Sequence, residues 1–202
     1  MAEKRDWIGN SRSAFSTLGA SNYSNSDRAE NDFYATEPKA VELLLAEEKF
    51  AHNIWECACG EGHISKVLES HGYKVKSTDL IYRGYGKPES VNFLEQSVEN
   101  FDGDIVTNPP YKFALEFCQK ALEYLKQGRK LAMFLKLQFL EGKARKKFFS
   151  QHPPKTVYVS SSRLVCAKNG DFYRYARSNA IAYAWFVWEK GHKTDPVVKW
   201  IN

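Results

Sequence analysis

Apolar positions along this chain recur every three or four residues in some stretches and alternate or run together in others. From Asp32 onward the two patterns take turns, which predicts helices interleaved with strands. Thr36 reads as a helix N-cap, with Glu37 and Pro38 opening a helix through Val41, Leu43, Leu44 and Leu45. Asn53 to Ala58 reads as a strand that breaks at Cys59-Gly60-Glu61-Gly62. A helix from Ile64 to Ser70 follows, ended by His71-Gly72. Lys74 to Asp79 is the next expected strand, with short ones at Val91 to Leu94 and Ile105 to Thr107. Phe113, Phe117, Ala121 and Leu125 put an apolar stripe on a helix that Gly128 terminates. Leu131 to Leu137 is expected as a buried strand and Lys143 to Phe149 as a basic helix stopped before Pro153-Pro154. Two β-rich runs, Thr156 to Ser160 and Ala180 to Glu189, close the pattern around a long loop holding Lys168-Asn169-Gly170-Asp171. Strands and helices in this order predict an α/β domain on a mostly parallel sheet. The late pair of strands with no helix between them predicts an antiparallel terminal hairpin.

Residues 1–31 break this picture. They are rich in Ser, Asn, Gly and Arg and poor in aliphatics, so a flexible arm is expected there and one domain over 32–202. The apolar run from Ala180 to Trp188 is nine residues, well short of the roughly 20 that cross a bilayer. Met1 to Trp7 carries charges of both signs and no apolar stretch, so no secretory signal and no membrane partner are expected. Cys57, Cys59, Cys118 and Cys166 form no CxxC pair and lack zinc-finger spacing, which leaves no metal site and suggests a reduced, cytoplasmic protein. The net charge of +5 is unevenly spread. Arg129 to Asn202 holds 15 Lys/Arg against 4 Asp/Glu, net +11, and the first 128 residues hold 14 against 20, net −6. A basic second half suits a polyanion, or simply a solvated face.

The most informative stretch chemically is Asp104-Ile-Val-Thr-Asn-Pro-Pro-Tyr111, a strand running straight into Asn-Pro-Pro-aromatic. Two prolines fix φ and bring no N–H, so the Asn108 side chain and nearby carbonyls can serve as acceptors with little internal competition. Paired acceptors suit a planar amino nitrogen, whose electron density they pull away from ring conjugation. Tyr111 offers a face for a base. Pro-Pro alone would only stop a strand. Trp55-Glu-Cys-Ala-Cys-Gly-Glu-Gly62 adds a glycine turn at a helix N-terminus, suited to a close ligand or merely to a tight turn. Asp79, ending the following strand, is where an acid can hold ribose hydroxyls, or cap and solvate.

Together, Asn108-Pro-Pro-Tyr111 and Glu56-Cys-Ala-Cys-Gly60 resemble the S-adenosylmethionine-dependent amino-methyltransferases, above all the N6-adenine DNA methyltransferases. Asp32-Phe-Tyr-Ala-Thr36 before a helix resembles their additional cofactor motif. The tail Ser178 to Trp188 is similar to small adenine methyltransferases of phages and prophages. The resemblance covers about residues 32–190. It implies a single class I, Rossmann-like domain with a mostly parallel seven-stranded sheet, an antiparallel terminal hairpin and helices on both faces. It also implies S-adenosylmethionine as cofactor, DNA as partner and a bacterial or phage-infected cell as setting. Phe33, Tyr34 and Thr36 would border the methionine end of the cofactor, and Glu56, Cys57, Ala58 and Gly60 its middle. Asp79 would hold the ribose, with Leu80 or Ile81 on the adenine. Asn92-Phe93 stands where the family has Asp-Phe beside that adenine. Asn108, Pro109, Pro110 and Tyr111 would hold the target amine and base.

In such a topology the basic residues Lys136, Lys143, Arg145, Lys146 and Lys147, with Arg163, Lys168, Arg174 and Arg177, border the mouth where a target enters. They are candidates for phosphate contacts, and Lys143 to Lys147 are equally readable as a solubilising helix face. Phe172, Tyr173 and Tyr175 interleave with Arg174 and Arg177, for base stacking or as a lid folded on the core. Three readings compete with DNA adenine methylation: an RNA base amine, a protein glutamine amide, and a non-catalytic cofactor- or nucleic-acid-binding module.

Overall fold

The computed structural model describes residues 34–97, 101–168, 172 and 181–202. The expected arm at 1–31, Phe33, Arg174, Arg177, Tyr173 and Tyr175 lie outside the described residues, as does the Lys168 side chain. In chain order come β1 (Tyr34–Thr36), α1 (Pro38–Glu47), β2 (Asn53–Glu56), α2 (His63–Ser70), β3 (Lys74–Ser77) and β4 (Asp104–Thr107). Then follow α3 (Ala114–Tyr124), β5 (Lys130–Lys136), α4 (Lys143–Gln151), β6 (Thr156–Ser160), β7 (Cys166–Lys168), β8 (Tyr183–Glu189) and β9 (Val197–Ile201). A seven-stranded sheet runs β3-β2-β4-β5-β8-β6-β9, and β1 with β7 makes a separate two-stranded ribbon.

Strands β3, β2, β4 and β5 are parallel, so their carboxyl ends share one edge of the sheet. The apolar run near the C-terminus becomes β8, antiparallel to both β5 and β6, which is the expected terminal hairpin. Alternation along the strands divides the core into two layers. Leu131, Met133 and Leu135 with Ala184, Phe186 and Trp188 pack on Phe117, Cys118, Ala121 and Leu122 of α3. Ala132 and Phe134 with Tyr183, Trp185 and Val187 pack on Val41 and Leu44 of α1 and Ile64 and Leu68 of α2. Each such side chain removed from water contributes roughly 1.5–3 kcal/mol, so both sheet faces require a helical cover. Indole N–H groups buried near these layers are paired: Trp185 Nε1–H donates to the Ala40 carbonyl at 2.7 Å and Trp55 Nε1–H to Thr78 Oγ1 at 2.8 Å.

Four local expectations are corrected. Val91 to Leu94 forms a turn, not a strand: Asn92 Oδ1 accepts from the Leu94 N–H at 3.2 Å, and Phe93 drops into the core against Trp55 and Phe117. The seventh strand is instead β9, an edge strand parallel to β6, whose Val197, Val198 and Trp200 stay exposed. Thr36 is not the helix cap; it ends β1, and Glu37 occupies the cap position. Phe113 belongs to a 3-10 turn (Tyr111–Phe113) ahead of α3 and is 41% exposed, so it is not part of the buried stripe.

Candidate active site

The carboxyl ends of β2 and β4 are neighbours, and the chain leaves β2 toward β3 before returning to β4. Crevices at such reversals of strand order are the usual ligand sites of open α/β sheets. The glycine turn follows β2, and Asn108 to Tyr111 follow β4, so the two motifs meet at one crevice.

On the β4 side, Asn108 is tied down at one end only. Its Nδ2 donates to the Tyr34 carbonyl at 3.0 Å and to Thr36 Oγ1 at 2.9 Å. A main-chain carbonyl can only accept, which fixes which end of the amide faces β1. The other end, Oδ1, is buried and has no hydrogen-bond partner. A buried acceptor left unpaired costs about 1–3 kcal/mol, a cost that a donor brought into the site would offset. Tyr34 and Thr36, expected to border a cofactor, thus act here as the anchor of Asn108.

Tyr111 is half-buried and its hydroxyl donates to Cys166 Sγ at 3.0 Å. The ring stacks on Tyr34 and tilts against Tyr183, each with centroids 6.0 Å apart, and Lys136 Nζ lies 4.8 Å from its centre. Burial pushes the Tyr111 phenol well above its ordinary range, so it stays protonated and serves as a donor and a surface, not as a base. Burial likewise pushes the Cys166 thiol up to about 12. Cys166 and Tyr183 were not singled out from sequence. The signal for Cys166 was the short apolar run Leu164-Val165-Cys166-Ala167, which builds β7 in a region read as loop.

The β2 side is built from groups that satisfy one another. Glu56 is buried, and its Oε2 accepts from the Ser65 N–H at 2.8 Å and from the Ser65 hydroxyl, which in turn contacts Ser77 Oγ at 2.7 Å. Desolvation raises the Glu56 pKa well above the ordinary value despite these bonds. Cys57 is buried too, its thiol pushed up by desolvation, so Glu56 and Cys57 face inward and Ala58 is the half-exposed member of the set. Asp79 accepts from Gly60 N–H at 2.7 Å, Ile81 N–H at 2.9 Å and the Arg83 guanidinium at 3.2 Å. It holds the glycine turn in shape while Leu80 beside it is 54% exposed. Gly62 has φ +78°, and a Cβ there would sit 2.3 Å from the Tyr85 ring. Its bareness therefore admits Tyr85, whose hydroxyl donates to Glu69 Oε2 at 2.8 Å, and not a ligand. Phe93 has its ring in the core, so at Asn92-Phe93 the half-exposed Asn92 is left to face outward.

Among the basic candidates, Lys143, Lys146 and Arg163 are exposed, whereas Arg145 bonds the Gln138 carbonyl at 3.3 Å and covers the Phe139 ring. Phe172 lies edge-on to His63 at the start of α2, with centroids 5.4 Å apart. That contact favours the lid reading for this one aromatic. Among the described residues no helix is long and apolar enough to cross a membrane.

No protein-family model matches the sequence, and no curated protein matches it. Solved structures do share its fold. A modification subunit assigned to a type I restriction enzyme of Vibrio vulnificus YJ016 is 14% identical with a TM-score of 0.57, over 94% of this chain and 50% of the other. The type IIG restriction endonuclease BpuSI is 12% identical with a TM-score of 0.54, over 89% of this chain and 27% of the other. A protein assigned as a hemolysin from Lactococcus lactis is 15% identical with a TM-score of 0.57, over 80% and 91%. The chain thus spans half of the modification subunit and about a quarter of the endonuclease. At these identities the likeness concerns the fold.

Proposed function

We propose that this chain transfers the methyl group of S-adenosylmethionine to the exocyclic N6 amine of adenine in DNA. The observation that carries the reading is the buried, unpartnered Oδ1 of Asn108, left open because its amide nitrogen is bound by Tyr34 and Thr36. An amine with two hydrogens is the natural occupant: Asn108 Oδ1 takes one and the Pro109 carbonyl the other. Both bonds localise the lone pair on nitrogen and strengthen as positive charge develops there. The cofactor, when bound, supplies a methyl already activated on a sulfonium, so the protein's task is placement and polarisation. No base is needed in advance, since the amine becomes acidic only as it is attacked, and its proton leaves to water.

The cofactor fits the opposite side of the crevice. Gly60 opens the turn, the half-buried Asp79 carboxylate lies beside it to accept from ribose hydroxyls, and exposed Leu80 offers an apolar surface to an adenine ring. Binding there exchanges Arg83 for the ribose on Asp79. The target base reaches Asn108 only from a single strand or flipped from the duplex, and lies on Tyr111 next to Lys136. The exposed Lys143, Lys146 and Arg163, with the net +11 of the chain after Gly128, support a nucleic-acid partner over a protein amide. The fold shared with a restriction-system modification subunit supports DNA.

Incubation with methyl-labelled cofactor and, separately, DNA, RNA and protein tests this reading. Label recovered as N6-methyladenine in DNA is expected. Label in RNA or in glutamine would overturn the substrate, and no transfer to any of the three would overturn the enzyme.

A further inference from the structure

We infer that Cys166 is a positioning residue of the amine site, its thiol fixing the Tyr111 ring on which the target base lies. This rests on the methyl-transfer reading above. Three contacts converge on one rung of the β1–β7 ribbon. Thr36 and Cys166 are partners in its register. From that rung Thr36 Oγ1 accepts from Asn108 Nδ2, and Cys166 Sγ accepts from the Tyr111 hydroxyl at 3.0 Å and lies 3.7 Å from the same Asn108 nitrogen. A two-stranded ribbon outside the main sheet thus grips both functional side chains of the loop after β4.

The sulfur is suited to this and to little else. Cys166 is 4% exposed, and burial keeps its thiol protonated, so it is neither a nucleophile nor an easily oxidised group. Tyr183 joins Tyr111 and Cys166 in the same hydrogen-bonded cluster, and its ring stacks on Phe134 with centroids 5.3 Å apart. Tyr111 is therefore bounded by Tyr34, Tyr183 and Lys136 around its ring and by sulfur at its hydroxyl. Without the sulfur, the hydroxyl keeps only Tyr183 as a partner in a buried place, and the ring shifts to recover the lost contact.

Cys166→Ala and Cys166→Ser in the full chain separate positioning from simple packing. With adenine-containing DNA as acceptor, the alanine variant is expected to lose about tenfold in kcat, with cofactor affinity by calorimetry changed less than about twofold. The serine variant, whose hydroxyl can accept the same bond, returns to within about threefold of the parent. An activity-free readout is the fluorine resonance of 3-fluorotyrosine at position 111, assigned with Tyr111→Phe. It should move in the alanine variant and return toward the parent position in the serine variant. An unmoved resonance in Cys166→Ala overturns the inference, as does equal loss of kcat in both variants. If the parent methylates no DNA, the functional reading fails, and the fluorine resonance still decides whether Cys166 holds Tyr111.

Discussion

The two sides of the crevice are built on opposite terms. After β2, nearly every polar group that lines the turn is already spoken for: Asp79 by Gly60, Ile81 and Arg83, and Glu56 by Ser65. After β4, Asn108 has one end secured and the other left buried and unpaired. Pairing groups with one another makes a turn rigid before any ligand arrives, at the cost of an exchange when one binds. Leaving an acceptor unpaired stores a cost that the right donor relieves, and more so as that donor gains charge. The first arrangement suits a cofactor that must be held; the second suits the atom where bonds change.

Substitution of one side at a time should split the two properties. Asn108→Ala is expected to cut methyl transfer by about 10²–10³-fold, as loss of one preorganised hydrogen-bonding group does elsewhere, with cofactor affinity almost unchanged in calorimetry. Asp79→Ala should weaken that affinity by about tenfold or more, the scale of a hydrogen bond to a charged group. If Asn108→Ala weakened cofactor binding as much as transfer, the division would not hold.

A smaller effect is expected where the β2 turn meets Tyr85. Gly62→Ala forces an L side chain into φ +78° and against the ring, and should cost roughly 2 kcal/mol or more in urea unfolding. Combining it with Tyr85→Ala should recover the steric part and leave the backbone strain. Full recovery in the double variant would show that φ matters little there.

Glu56 gives the β2 side a pH dependence. Because burial raises its folded pKa above the ordinary 4.5, the folded chain keeps this proton after the unfolded chain has released it. Its contribution is fully present in acid and falls as pH rises from about 4.5 toward the raised value. Glu56→Gln removes that loss, so its stability relative to the parent should grow as pH rises above about 4.5. A constant difference would mean that Glu56 is not held protonated.

The smallest effect is expected at Arg83, which shares Asp79 Oδ1. Arg83→Ala should tighten cofactor binding by up to about fivefold, since a partly exposed pair is worth about 0.2–1 kcal/mol. Weaker binding would instead make Arg83 part of the cofactor site.

The main elements were legible because their signals are local. A strand buried on both faces, such as β8, must be apolar throughout, and a helix covering a sheet, such as α3, must repeat its apolar residues each turn. Asn108-Pro-Pro-Tyr111 was legible for the same reason, being contiguous. The mostly apolar run Val197 to Ile201 is short and forms an exposed edge strand, and its pairing with β6 joins positions about 40 residues apart, which no local pattern shows. The turn at Val91 to Leu94 was misread because Phe93, bound for the core, looks like a strand residue. The glycine turn is open in sequence to a close ligand or a tight turn, and at Gly62 the group it makes room for lies 23 positions away at Tyr85.

What the sequence determined by itself is the α/β architecture, the glycine turn after one strand and an Asn-Pro-Pro-Tyr loop after another, all set by neighbours along the chain. Which end of Asn108 is bonded and which is left unpaired was decided only by the tertiary structure. So were the pairing of Asp79 with Arg83 and the sulfur on Tyr111. Asn108 answers to Tyr34 and Thr36, 74 and 72 residues away, and Tyr111 to Cys166, 55 residues away. A hydrogen bond depends on position in space to within tenths of an ångström, and no local pattern encodes a meeting across that much chain.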